Sequence, residues 1–162
     1  MDKELQIVGF QVGAETFGLP IAAVREIIRV PEITAVPNVP DHIVGVINLR
    51  GKIVPVIDLP KRFGAASRAG SAKNRIVVVE MDGRWVGLIV HSATEVLRLP
   101  QSKIENPQDV FPDSSLDYVS GVGKLNGRLV ILLDLQKISR REGLREAGLH
   151  ERFAAPSAVT LA

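Results

Sequence analysis

Cysteine is absent from the 162 residues, which excludes a disulfide framework, thiolate metal sites, iron–sulfur clusters and every mechanism built on a cysteine nucleophile. Aromatic residues are scarce: one Trp, one Tyr and five Phe are spread through the chain. A platform for stacking nucleobases or sugars is hard to build from so few. Long apolar runs are also missing, none approaching the ~20 residues that cross a bilayer. Met1-Asp2-Lys3-Glu4 lacks the basic-then-apolar order of a signal peptide. The expectation is a cytoplasmic protein with no direct membrane insertion. Nor is there a strong excess of charge: the net value is +2, and Met1 to Leu135 holds 15 basic and 15 acidic residues. The excess lies in Lys137 to Arg152, five basic against three acidic. A neutral body lacks the clustered positive field that phosphate binding requires, so no nucleic-acid partner is expected.

What is abundant is β-branched aliphatic side chain, 21 Val and 14 Ile. Such residues favour strands, and a mainly helical bundle is not expected. The length suits one ordinary domain that buries roughly two-thirds of its unfolded surface without staples.

The chain is written twice. Gly45 to Lys61 (GVINLRGKIVPVIDLPK) matches Gly121 to Lys137 (GVGKLNGRLVILLDLQK) at eight of 17 positions, an offset of 76. Gly18-Leu19, Glu26, Arg29 and Pro31 match Gly87-Leu88, Glu95, Arg98 and Pro100 at an offset of 69, so the second copy holds seven extra residues around Asn106 to Leu116. Each copy reads as a hairpin, a proline-bearing connection and a second hairpin ending in Asp-Leu. The first hairpins are expected at Leu5–Val12 with Thr16–Ile21, and at Arg75–Met81 with Arg84–Val90 around Asp82-Gly83. The second hairpins turn at Arg50-Gly51 and Asn126-Gly127. Gly64 to Ser71 reads as a flexible linker.

Units of this size close into small barrels to remove unpaired edges. The fold expected is all-β: two packed five-stranded SH3-like barrels related by duplication, with a C-terminal helix. Residues 1–153 are expected to form one domain, with repeats at about 5–66 and 74–135, a helix at about 135–152 and a disordered tail at 154–162. Because each copy is marginal in size, the two are expected to share apolar surface.

Catalytic constellations are missing. His42, His91 and His150 are isolated in sequence and form no ligand motif, so no metal is assigned. His91, inside an apolar strand, reads as a satisfied strand residue. Asp58 and Asp134 tempt as paired carboxylates, but their repetition at strand ends fits capping of the following turn. Glu26, Glu95, Arg29 and Arg98 are also repeated, and fit ion pairs within a copy or exposed strand faces. No phosphate loop and no nucleophile elbow occur. No catalytic residue, cofactor or enzyme activity is assigned, and an interaction module remains. Positions that differ between the copies are then informative: Arg50 against Asn126, Val24 against Ala93, Asn48 against Lys124. An arginine at a hairpin tip offers five donors on a planar face.

These residues resemble the CheW family of bacterial chemotaxis coupling proteins. Phe17-Gly18-Leu19-Pro20-Ile21 with Val24-Arg25-Glu26-Ile27, the run from Ile43 to Leu59, Val86 to Val90, and Gly121 to Leu135 carry the resemblance. It implies two intertwined SH3-like barrels and a non-enzymatic adaptor between the cytoplasmic tip of a chemoreceptor and the regulatory domain of the histidine kinase CheA. It places the protein in the cytoplasm at membrane-bound receptor arrays. Receptors of the family meet an apolar groove involving the first barrel, and the kinase meets exposed barrel ends. By position, Val24, Glu26, Gly45, Arg50, Gly87 and Val96 match partner-binding places, the glycines through backbone shape. Two departures bear on partner choice: Ile89-Val90-His91 stands where the family reads Val-Val-Asp, and Asp58-Leu59-Pro60 where it reads Asp-Leu-Arg. The competing readings are a small β-barrel module for nucleic acid or oligosaccharide, and an enzyme using Asp58 and Asp134.

Phe153 to Ala162 shows no periodicity. Truncation after Glu151 is therefore expected to leave the melting temperature almost unchanged. A drop of several degrees in a melting curve would mean that Phe153 docks on the body.

Overall fold

The computed structural model describes residues 3–63, 71–110 and 118–140. The first copy runs β1 (Glu4–Val12), β2 (Glu15–Pro20), a 3-10 turn at Ile21–Ala23, β3 (Val24–Arg29), β4 (Ile43–Leu49), β5 (Lys52–Asp58) and α1 (Leu59–Arg62). The second runs β6 (Arg75–Met81), β7 (Arg84–Val90), β8 (Ser92–Pro100), a 3-10 turn at Gln101–Lys103, β9 (Ile104–Glu105), α2 (Pro107–Val110), β10 (Val119–Leu125), β11 (Arg128–Leu133) and α3 (Leu135–Arg140). Strands β6 and β7 have the expected bounds, and β1 and β2 lie within one residue of theirs. The linker from Gly64 to Gly70, the insertion beyond Val110, the expected helix beyond Arg140, His150 and the tail lie outside the described residues.

The turns follow from their residues. Arg50-Gly51, Asp82-Gly83 and Asn126-Gly127 all have positive φ at both positions, 53° and 85°, 50° and 79°, 50° and 80°. That backbone matches the twist of the flanking strands in a two-residue hairpin. Glycine adopts it freely and Asn or Asp tolerates it. Arginine at position 50 is the one of the three with no local reason to be there.

The connection in each copy carries a further strand, β3 or β8, and these two are exchanged. Strand β3 pairs with β6 of the second copy (Ile27 opposite Val77), and β8 pairs with β1 of the first (Leu97 opposite Ile7). Parallel pairings complete the mixture, β2 with β11 and β5 with β7. The strand orders are β8-β1-β2-β11-β10-β9 and β3-β6-β7-β5-β4. Each sheet thus takes strands from both copies. The sixth strand of the first sheet is a small difference: β9 pairs Glu105 with Val122, and Thr34 makes the matching single bridge to Val46 in the first copy.

The apolar residues separate into three groups. Ile7, Leu97, Leu99, Val130 and Leu132 form a cluster on the first sheet. Ile47, Val54, Val56, Ile76, Val78 and Ile89 form one on the second. Between the sheets lies a larger shared core including Phe10, Leu19, Ile43, Ile57, Val77, Leu88, Leu133 and Ile138. Leu59 of α1 and Ile138 of α3 are buried in it, which is why each Asp-Leu block ends in a helical turn. Four of the scarce aromatic residues, expected to be dispersed, instead stack in a row within and beside this core. Ring centroids of Phe10, Phe17, Phe63 and Tyr118 are 6.4, 5.1 and 4.9 Å apart in turn.

Gly45 fits because the proline-bearing connection crosses directly over it. A Cβ there would lie 2.1 Å from the Thr34 carbonyl oxygen, and φ is 154°. Thr34 and Val46 exchange two backbone hydrogen bonds of 2.9 Å beside it. Gly13 also has positive φ, 65°, but faces open space. In urea unfolding, Gly45→Ala is expected to cost ~3 kcal/mol or more through displaced backbone, and Gly13→Ala only ~1 kcal/mol through the left-handed conformation. Equal costs would show that the connection is not held against β4.

Candidate functional site

The chemistry-bearing side chains gather at hairpin tips and strand edges. Among the described residues no group of three His, Asp or Glu is placed to hold a metal ion, and no helix is long and apolar enough to cross a membrane. Asp58 and Asp134 act as caps. Asp58 Oδ1 accepts the Lys61 N–H at 3.2 Å, and Asp134 Oδ1 accepts the Lys137 N–H at 3.3 Å. Their own N–H groups donate to the carbonyls of His42 and Tyr118, at matching positions. The pair tempting for acid–base work is therefore one structural device used twice.

The two departures from the family pattern are absorbed locally. His91 Nδ1 accepts the backbone N–H of Gly13 in the β1–β2 turn. A ring nitrogen thus supplies the acceptor that a carboxylate could have supplied. Pro60 sits in the first turn of α1, where a helix leaves its N–H groups unused.

Arg50 and Glu26 form a specific polar contact on the surface. Arg50 Nη1 donates to Glu26 Oε2 at 2.6 Å and Nη2 to Oε1 at 3.1 Å, a two-pronged ion pair. Glu26 is on β3 and Arg50 follows β4, so the bond joins the two ends of the second sheet's strand order. The Arg50 side chain is 71% exposed and Glu26 20%. Asn48 Oδ1 accepts the Gly51 N–H at 3.0 Å and locks the turn that presents Arg50. In the other copy Lys124 and Asn126 occupy these places. There Glu95 pairs instead with Arg128, at 2.9 Å. Ion pairs within each copy were expected for the glutamates; that their partners are hairpin arginines was not visible in sequence.

The remaining candidates are not all brought together. Val24 lies two residues from Glu26 on β3 and packs against the shared core. Gly45 and Gly87 are buried. A Cβ on Gly87 would lie 2.8 Å from Ile76 Cγ2, so this glycine permits the close packing of β7 over the second sheet's interior. Val96 lies on β8 in the first sheet and is 54% exposed. Its register partner Val8 is also opposite Leu19, a shared-core residue. Ile27, 41% exposed, is opposite Val77, also of the shared core. Ile27 and Val96 thus mark, on the edge strands β3 and β8, where apolar surface from between the sheets continues outward. Sequence reading missed Ile27, whose place in the alternation of β3 was the available signal.

Trp85 was also missed as a participant. Lys52 Nζ stands 4.0 Å and the Arg25 guanidinium 5.2 Å from its ring centroid, and Arg25 also pairs with Glu80 at 3.2 Å. In the aromatic row elsewhere Phe10 is 0% and Phe17 8% exposed, and only at its end does a cation meet a ring, the Arg62 guanidinium 5.9 Å from the Tyr118 centroid among the described residues.

Fold and site together define a duplicated all-β protein of two strand-exchanged sheets, with its distinctive side chains on tips and edges rather than in an enclosed cavity. Residues 6–143 match the CheW-like domain, and the chain belongs to that family. It is 34% identical to the chemotaxis protein CheW of Klebsiella aerogenes over 82% of this chain and 80% of that one. It is 32% identical to the chemotaxis protein CheW of Helicobacter pylori, over 87% and 85%. The crystal structure of the scaffolding protein TtCheW from Thermoanaerobacter tengcongensis superposes with a TM-score of 0.77 at 39% identity, covering 85% of this chain and 92% of that one.

An exposed ion pair contributes little to folding. A double-mutant cycle of Glu26→Ala and Arg50→Ala, read by urea unfolding, is expected to give a coupling below ~1 kcal/mol. A coupling above ~2 kcal/mol would make the pair an element of stability instead of a presented surface.

Proposed function

We propose that this chain is a non-enzymatic adaptor that couples chemoreceptors, the methyl-accepting chemotaxis proteins, to the histidine kinase CheA in chemosensory signalling. Its partners are the cytoplasmic receptor tip and the CheA regulatory domain, and it works in the cytoplasm at membrane-bound receptor arrays. The observation that carries this reading is the match to the CheW-like domain over residues 6–143. The geometry supports it. A bridging protein needs more than one kind of surface, and the polar tip at Arg50 differs in chemistry from the exposed apolar residues Ile27 and Val96. We assign partner binding to Val24, Glu26, Arg50 and Val96 by contact, and to Gly45 and Gly87 by the backbone they shape. The exposed apolar residues suit the receptor tip, which the family resemblance places against an apolar groove.

The duplication supplies an internal control. Arg50 and Asn126 occupy matching turns with nearly the same φ, 53° and 50°. Arg50→Ala and Asn126→Ala should each change stability by no more than ~1 kcal/mol. Truncating a charged anchor at an interface costs ~2 kcal/mol or more, about thirtyfold in affinity. Titration of both variants against a receptor-tip fragment and the CheA regulatory domain, with melting curves alongside, is expected to show loss only for Arg50→Ala. Equal binding by the two variants would return Arg50 to a solvated turn residue. Failure of the unmodified protein to bind either partner would overturn the adaptor reading.

A further inference from the structure

At the end of the second sheet two cations, Arg25 and Lys52, and the carboxylate of Glu80 gather around one aromatic ring, and the turn next to Lys52 carries the Arg50–Glu26 pair. Glu80 and Trp85 are cross-strand neighbours on β6 and β7. Arg25 meets both of them, Lys52 lies over the ring, and Arg50 has Glu26. The matching end of the first sheet is chemically different. At the positions of Glu80 and Trp85 it has Gln11 and Thr16, also cross-strand neighbours, with Gln11 Nε2 donating to Thr16 Oγ1 at 2.9 Å. At the position of Lys52 it has Arg128, and there, with no aromatic ring beside it, this cation takes the glutamate.

Glu26 has the same choice of partners. Lys52 flanks the turn that bears Arg50, opposite Leu49, and Arg25 precedes Glu26. Any of the three cations satisfies a carboxylate electrostatically, and an exposed ion pair has little intrinsic preference. A tryptophan face attracts a cation even at an exposed site, enough to bias that choice. We propose that Trp85 sorts these cations: by holding Lys52 and Arg25 over its ring it leaves Glu26 to Arg50, and so fixes the guanidinium in the geometry that a partner meets. Trp85 is a positioning residue, acting through Lys52 on the Glu26–Arg50 pair. This rests on the assignment of Arg50 to partner binding.

The test uses the full chain with Trp85→Leu, which keeps apolar bulk but removes the π face, Trp85→Phe, which keeps a face, and Lys52→Gln, which removes the competing charge. Binding is titrated against the receptor-tip fragment and the CheA regulatory domain, using whichever partner Arg50→Ala weakens. Releasing an ordered, rotamer-rich side chain costs ~0.7–1.4 kcal/mol on binding, roughly threefold to tenfold in affinity. Trp85→Leu is expected to show that loss. Trp85→Phe and Lys52→Gln should stay within about twofold of the unmodified protein, and Trp85→Leu with Lys52→Gln should recover most of the affinity. In the unbound protein, the Arg50 Nε–Hε NMR signal should shift in Trp85→Leu and return in the double variant. Restoration by removing a charge is not expected of a residue that merely fills space. Normal binding by Trp85→Leu while Arg50→Ala is weak, or no recovery on adding Lys52→Gln, overturns the proposal alone. Normal binding of both partners by Arg50→Ala overturns the assignment on which it rests, and the proposal with it.

Discussion

The two parallel pairings, β2 with β11 and β5 with β7, are the constraint on which the rest of the structure depends. Each joins a strand of one copy to a strand of the other, and each is built around glycine: Gly18 is opposite Leu132, and Gly87 opposite Val56. A side chain at either glycine would press on the sheet's own interior, on Ile7 or on Ile76. With those two seams in place, β3 and β8 extend the sheet of the opposite copy and the remaining apolar faces close on one another. A unit of about 70 residues buries too little surface to be secure alone. Strand exchange turns two marginal units into one structure with two interiors and a common core. Removing either copy strips strands from both sheets, so the copies have no route to independent stability.

That exchange also explains which features could be read from sequence. Asp82-Gly83 and the alternation on either side fix β6 and β7, because turn and strand are local neighbours. The Asp58 and Asp134 caps were legible for the same reason, each bonding an N–H three residues on. The destinations of β3 and β8 were not, since a strand's alternation says which face is apolar but not whose edge it joins. The aromatic row was hidden likewise: Phe17 and Phe63 lie 46 positions apart, and only the shared core brings their rings together. At the site, Arg50 and Glu26 were each singled out by position, but their mutual bond depends on the two ends of a five-strand order meeting. Trp85 carried a signal that went unused: it differs from Thr16 in the other copy, by the same comparison that drew attention to Arg50.

Duplication separates what a fold needs from what has been added to it. Features present in both halves, the register shift before Gly45 or Gly121 and the Asp-Leu cap, keep the architecture. Features present in one half have no such obligation. At the end of the second sheet they come as a set: Arg50 for Asn126, Trp85 for Thr16, Glu80 for Gln11, Asn48 for Lys124. A single replacement of this kind has a bland explanation in drift on an exposed surface. Four at the same end of one sheet describe a surface with its own chemistry.

Arg50 shows why stability does not account for that chemistry. A non-glycine residue in the left-handed region costs ~1 kcal/mol or more, and an exposed ion pair returns at most about as much. Asparagine, as at position 126, would make the same turn with less strain. Folding alone therefore gives arginine no advantage there. The balance changes when a partner covers the site: water leaves, the local dielectric falls and each charge-assisted bond strengthens. The guanidinium has five N–H donors, and the pair with Glu26 engages only Nη1 and Nη2, one bond each. A fixed, planar group with donors left over and its orientation already set by a carboxylate is poor use of a turn and good use of a docking surface.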